Sequence, residues 1–233
     1  MEIENLGVIA YDVALSLQEK THESVRNNLG PEKLFLLEHP HVFTVGRRLV
    51  KGKRSKPHYS HLKVPTFHVS RGGDITYHGP GQLVGYPILD LRRRSLDIYS
   101  YLRNLEECLI RTVSEFGVSG YRRKGFTGLW TDKGKLASIG VGVRKWITMH
   151  GFALNVAPEM HYFKMIDPCG MPDCPVTSMS EILGRVVSIR EIEPIISKHL
   201  TQVLKPKDSL SSEHKQPNQN LDFSPEKSSR HLT

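Results

Sequence analysis

The stretch that most restricts what this chain becomes is residues 128–156, GLWTDKGKLASIGVGVRKWITMHGFALNV. Asp132-Lys133-Gly134 is a turn signal between two alternating runs, and a second turn is expected around Lys145 and Trp146. The segment therefore reads as successive antiparallel strands. A sheet of this kind needs a covering layer, and the helices to supply one are present. Residues 97–116 bring Ile98, Leu102, Leu105, Leu109, Val113 and Phe116 to one helical face, with Ser95 and Asp97 as candidate caps and Gly117 just past the end. Residues 11–29 read as a second amphipathic helix, with Tyr11, Ala14, Leu15, Gln18, Val25 and Leu29 near one face, and 189–204 as a last one. Ser178 and Glu181 have the spacing of a capping box, which predicts a short helix starting there. Short apolar runs at 33–40, 41–46, 66–69 and 82–91 complete the strands. Without a strict βαβ rhythm, the expected class is α/β of the mixed α+β kind, a mixed β-sheet flanked by helices.

From Lys205 the composition turns polar, KPKDSLSSEHKQPNQNLDFSPEKSSRHLT, with little to offset the entropy of ordering. The expected organisation is one catalytic domain over 1–204 and a polar, disordered tail over 205–233. No stretch reaches the roughly 18–20 apolar residues that span a bilayer, and the N-terminus lacks the plan of a signal or transit peptide. A cytoplasmic location is expected, and three cysteines (Cys108, Cys169, Cys174) suit a reducing compartment. The net charge is +8, with basic clusters at Arg47, Arg48, Lys51, Lys53, Arg54 and Lys56, at 92–94 and at 122–124. Such a charge favours an acidic partner, nucleic acid or an anionic surface.

The segment RGGDITYHGPG (71–81) is the most unusual local sequence. Its glycines let the backbone approach a ligand closely, and Arg71 and His78 add a fixed charge and a titratable donor; a tight turn between strands explains the same residues. It matches neither phosphate-binding glycine pattern, so ATP and dinucleotide sites are unsupported and no cofactor is expected. Cys169, between Pro168 and Gly170 in a loop before a helix, is placed like a reactive thiol rather than a core filler. Cys174 follows five residues on, but without a second Cys or His pair it makes a weak zinc site, and no metal is expected. Cys108, mid-helix, reads as a packing residue. Lys135 opens the strand KLASIGVGV; alternation places it with Ala137, Ile139, Val141 and Val143 on an apolar face unless a bulge shifts the register. An ammonium there has its charged form disfavoured, which suits proton transfer, whereas a hairpin-end lysine reaching to water is the plainer alternative. His39, His41, His58, His61 and His68 surround a basic loop and read as solvent-facing, while His150 lies within a strand.

Taken together, RGGDITYHGPGQLVGYP, GKLASIGVGVRKWITMHGFALNV and MIDPCGMPDCPVTS resemble, in order, the lipoyl (octanoyl) transferases of lipoate biosynthesis, and LEHPHVFTVGR resembles their N-terminal segment. The likeness runs over roughly 6–200. It implies the mixed-sheet fold shared with the catalytic domains of biotin and lipoate protein ligases. It also implies a nucleophile at Cys169 that becomes an acyl-thioester, and a lysine at Lys135 that lowers the thiol pKa. Substrate-binding segments are implied at Arg71, Gly72, Gly73, Asp74, Ile75, Thr76, Tyr77 and His78, at Ser138, Ile139 and Gly140, and at Gly151, Phe152 and Ala153. The implied partners are octanoyl-acyl carrier protein as donor, with lipoyl domains of 2-oxoacid dehydrogenases and the glycine cleavage H protein as acceptors. Neither nucleic acid nor membrane is among them, and a basic rim would steer acidic carriers to the site. The rival on the same fold is an ATP-dependent lipoate or biotin ligase, which needs no nucleophilic cysteine. A nucleic-acid module would interleave aromatic residues with the basic ones, and 47–56 contains none.

Overall fold

The computed structural model describes residues 1–48, 64–167 and 174–206. Cys169, the basic residues from Lys51 to Lys56, His58, His61 and the tail from 207 onward lie outside the described residues. A seven-stranded sheet forms the centre. Its strands in chain order are β1 (Glu2–Val8), β2 (Lys33–Glu38), β6 (Gln82–Ile88), β7 (Tyr121–Arg123), β8 (Phe126–Thr131), β9 (Gly134–Arg144) and β10 (Ile147–Asn155), in the spatial order β1-β2-β6-β10-β9-β8-β7. Only β1 and β2 run parallel; the other pairs are antiparallel. A second, three-stranded sheet of β3 (Val42–Val45), β4 (Thr66–His68) and β5 (Ile75–His78) stands apart from it, in the order β4-β3-β5.

The helices divide between the two faces of the large sheet. Helix α2 (Ile98–Ser114) is capped by Asp97, whose carboxylate accepts from Ser100 N at 2.6 Å. It packs against α4 (Ile189–Val203). Together they bury Leu34, Leu36, Leu83, Leu129, Ala137, Phe152 and Leu154, one set of alternate strand residues; each fully buried aliphatic side chain contributes about 1.5–3 kcal/mol. Cys108 lies in this layer, where burial pushes its thiol up to about 12, so it packs and does not react. Helix α1 (Tyr11–Arg26) covers the opposite face, over Phe35, Leu37, Val84, Tyr86 and Ala153. Its buried stripe is Tyr11, Ala14, Gln18, His22 and Val25. Leu29, expected on that stripe, lies past the helix end and is exposed. The short helix α3 (Met179–Leu183) carries the capping box between Ser178 and Glu181 that the spacing predicted.

The turn at 132–134 joins β8 to β9, and Lys145 and Trp146, both at positive φ, join β9 to β10. The hairpin β8–β9 holds the departure from simple alternation. Leu129 pairs with Ala137, but Trp130 pairs with Lys135, leaving Leu136 as an extra residue. Leu136 and Ala137, neighbours in sequence, consequently both enter the same core layer. The bulge moves Lys135 to the opposite face, so it does not share the apolar face of Ala137. It sits on the side of Trp130 and Ser138.

Candidate active site

The segment 71–78 lies across this second face of the sheet. Gly72 N donates to Val141 O at 2.9 Å, docking the segment onto β9. Gly140 permits the approach: a Cβ there would stand 2.9 Å from Arg71 Cδ and 3.3 Å from Gly72 O. Asp74, buried, accepts from Arg48 through Nε at 3.1 Å and Nη2 at 2.6 Å. Between the segment and the sheet is a cavity of about 370 Å³, within the span of small-molecule sites of roughly 300–1,000 Å³. Its walls include Arg71, Gly72, Gly73, Asp74, Ile75, Thr76 and His78 from the glycine-rich segment. Lys135, Ser138, Ile139 and Gly140 come from β9, and Gly151, Phe152 and Ala153 from β10. These residues, scattered in sequence, line one cavity. Tyr77 is the exception. It points to the far side of β5, where it stacks on Tyr162 at 4.7 Å and bonds His41 Nδ1 through its hydroxyl at 2.7 Å.

Sequence reasoning missed several walls. Tyr11, Tyr86 and His150 line one end, and Ile98, Leu102, Phe126 and Thr127 line another. Residues such as Ile98 and Leu102 read as core positions of an amphipathic helix, and no local pattern distinguishes a cavity wall from a core.

Lys135 is 4% exposed. Its ammonium lies 5.6 Å from the centre of the Trp130 ring, which the Arg123 guanidinium also approaches, at 4.8 Å from the same centre. The slot for the lysine exists because residue 128 is glycine. Gly128 has φ +134, and a Cβ there would lie 2.9 Å from Lys135 Cε and 2.5 Å from Ala137 O. The plainer alternative, a surface lysine reaching to water, is thereby overturned.

The cavity's other end is a buried polar cluster in which each link donates to the next. Arg71 donates through Nη2 to Thr44 O at 2.6 Å and to Thr44 Oγ1 at 2.9 Å. The Thr44 hydroxyl then faces His78 Nε2 at 3.3 Å, and His78 Nδ1 donates to Gln82 Oε1 at 2.7 Å. Gln82 Nε2 donates to Asn155 Oδ1 at 2.9 Å. His39 is fully buried, not solvent-facing: Nδ1 donates to Ile9 O at 2.8 Å and Nε2 accepts from the Tyr86 hydroxyl at 2.8 Å. Burial pulls His39 and His150 down to about 4 and His78 to about 3, with Arg71 adding to the effect on His150 and His78. Burial likewise pushes the Tyr11 hydroxyl up to about 12. The cluster is neutral at pH 7 except for Arg71.

The matching residues now identify the lineage. Residues 10–201 match the family described as the lipoyl protein ligase A/B catalytic domain. An octanoyltransferase from Geobacter metallireducens is 51% identical over 192 residues, covering 82% of this chain and 88% of that protein. The chain belongs to the octanoyltransferase family. Solved structures add the fold. A lipoate-protein ligase A bound with ATP superposes with a TM-score of 0.66 at 15% identity, over 88% of this chain and 86% of the other. A bipartite lipoate protein ligase from Thermoplasma acidophilum, studied with its E2 lipoyl domain, gives 0.66 at 14% identity, over 87% and 83%. At such identities the ligases speak for the family's architecture, a sheet flanked by helices, and not for its chemistry.

Proposed function

We propose that this family member transfers an octanoyl group from acyl carrier protein to a lysine of lipoyl domains, including the glycine cleavage H protein, in the cytoplasm. The transfer runs through a thioester on Cys169. The observation that carries the reading is Lys135, buried at a bulge and facing the cavity that the glycine-rich segment closes.

In the first half-reaction the Cys169 thiolate attacks the carbonyl carbon of the octanoyl thioester. The bond from that carbon to the carrier's sulfur breaks, and the carrier thiol leaves with a proton from the Lys135 ammonium. In the second, the acceptor lysine's amine attacks the Cys169 thioester, Lys135 takes its excess proton, and the Cys169 thiolate leaves. A thioester becomes an amide, which is downhill and needs no nucleotide. His78, whose two ring nitrogens are engaged by Thr44 and Gln82, and the Tyr11 hydroxyl, kept protonated by burial, line the cavity without offering a competing nucleophile. The basic residues within 47–56 and 122–124 would draw in acidic carriers.

The test is intact mass after incubation with octanoyl-carrier protein in the absence of ATP. Wild type gains one octanoyl group, labile to hydroxylamine, and Cys169→Ser does not form the labile adduct. Labelling confined to Cys174, or transfer only with ATP and free octanoate, overturns the reading.

A further inference from the structure

We infer that Asn155 is a positioning residue for Lys135, acting through the peptide of Thr177. The inference rests on the dyad proposed above. The pairing of β10 with β9 ends at Leu154 and Ala137, and that of β10 with β6 ends at Asn155 and Gln82. Beyond those points β9 and β10 part, and residues 175–177 enter the gap. Lys135 N donates to Pro175 O at 2.8 Å, and Thr177 N donates to Lys135 O at 3.0 Å. The bulge at Leu136 breaks the regular ladder with β8, so this short parallel pairing is what fixes the Lys135 backbone on its other side.

The Thr177 peptide is itself held by Asn155, whose Nδ2 donates to Thr177 O at 3.0 Å. The orientation of that carboxamide is not free. Gln82 donates to Asn155 Oδ1 at 2.9 Å, and His78 fixes Gln82 in turn by donating to its Oε1 at 2.7 Å. With Oδ1 claimed, Nδ2 must face Thr177. Asn155, Gln82 and Thr177 are all at most 4% exposed, so water does not substitute for the contact. The relay joins the glycine-rich segment to the backbone of the proposed acid–base residue, and it reaches the chain shortly after Cys169 in sequence. A misplacement near 1 Å costs about 10²-fold in rate, so a group that sets this register acts on turnover without touching substrate.

The decisive variant is Asn155→Asp, which keeps the side chain's shape and the acceptor for Gln82 but offers Thr177 O no donor. Asn155→Ala is the second variant, and thermal melting reports the folded fraction of both. Wild type and variants are assayed for octanoyl transfer, and the pH dependence of Cys169 alkylation by iodoacetamide is read by peptide mass. For Asn155→Asp the expected result is a fall in kcat of about 10²-fold with KM for octanoyl-carrier protein within about threefold of wild type. The midpoint of Cys169 alkylation should move upward, and in Asn155→Ala as well, where no charge is added, because Lys135 no longer holds its register. If kcat falls only in proportion to the folded fraction and the alkylation midpoint stays put, Asn155 is merely structural and the inference is wrong. If wild type itself takes no octanoyl group on Cys169, the transferase reading fails first and takes this inference with it.

Discussion

Three buried neutral histidines should make this fold acid-sensitive, and the size of the effect follows from their surroundings. In the unfolded chain each histidine titrates near 6.5; in the folded protein His39 and His150 are drawn down to about 4 and His78 to about 3 by burial. As pH falls, the unfolded chain takes up protons first, so the stability contributed by these groups is complete above about 6.5 and is lost from there down to about 4 for His39 and His150 and about 3 for His78. At pH 5, about 1.5 units below the unfolded value, each histidine costs about 2 kcal/mol at 1.36 kcal/mol per unit, and the three together about 6 kcal/mol. Set against about 5–15 kcal/mol for a typical domain, that is a large share. His22, also lowered by burial, acts in the same direction. Urea unfolding at pH 7.5 and at pH 5 measures the loss. His150→Asn is the control, since asparagine suits the left-handed backbone at φ +57 and does not titrate; it should remove about a third of the pH slope. A change in stability below about 1 kcal/mol between the two pH values, or an unchanged slope in the variant, would refute the reasoning.

Two further substitutions probe the scaffold. Gly128→Ala places a methyl group against Lys135 and the Ala137 carbonyl at a backbone angle that alanine resists. It should cost about 1–3 kcal/mol in unfolding free energy and lower octanoyl transfer more than it lowers the folded fraction at assay temperature. Arg94→Met leaves Glu32 without the bidentate partner that bonds it at 2.8 and 2.7 Å. It also frees Leu204 O, which Arg94 Nε meets at 2.6 Å just past α4. Breaking such a buried pair should cost about 3–5 kcal/mol by chemical denaturation; a loss under about 1 kcal/mol would show that Glu32 finds another partner.

Arg94 also shows where reading the chain by composition misleads. It sits in an apparent basic cluster, yet it is buried and serves an ion pair rather than a charged rim. Helix and strand periods, the two hairpin turns and the Ser178 capping box were legible because each is set by local spacing. The division into a seven-stranded and a three-stranded sheet was not, since strand partners are chosen by contacts far apart in sequence. The site divides the same way. Gly72, Ser138, Gly140 and Gly151, which the resemblance implied as substrate-binding positions, line the cavity. The face of Lys135 could not be read from the sequence, because the extra residue at Leu136 reverses the alternation for the residues before it while leaving Ala137 to Val143 as expected. His39 read as solvent-facing; its burial depends on Tyr11 and Tyr86, which no local window contains.

The two outer strands of the large sheet have a consequence for how copies of this chain meet. β1 carries Glu2 and Glu4, and its pairing is interrupted between Asn5 and Val8, with Gly7 at φ +59. β7 is three residues long, exposed, and bears Arg122 and Arg123. Neither border offers the long, flat, uncharged row of peptide groups on which another strand adds. An invading β1 would bring carboxylates against carboxylates, and an invading β7 would bring guanidinium against guanidinium. Sheet growth from molecule to molecule is thus opposed at both ends by charge and by the break in β1, even though the interior strands are rich in β-formers.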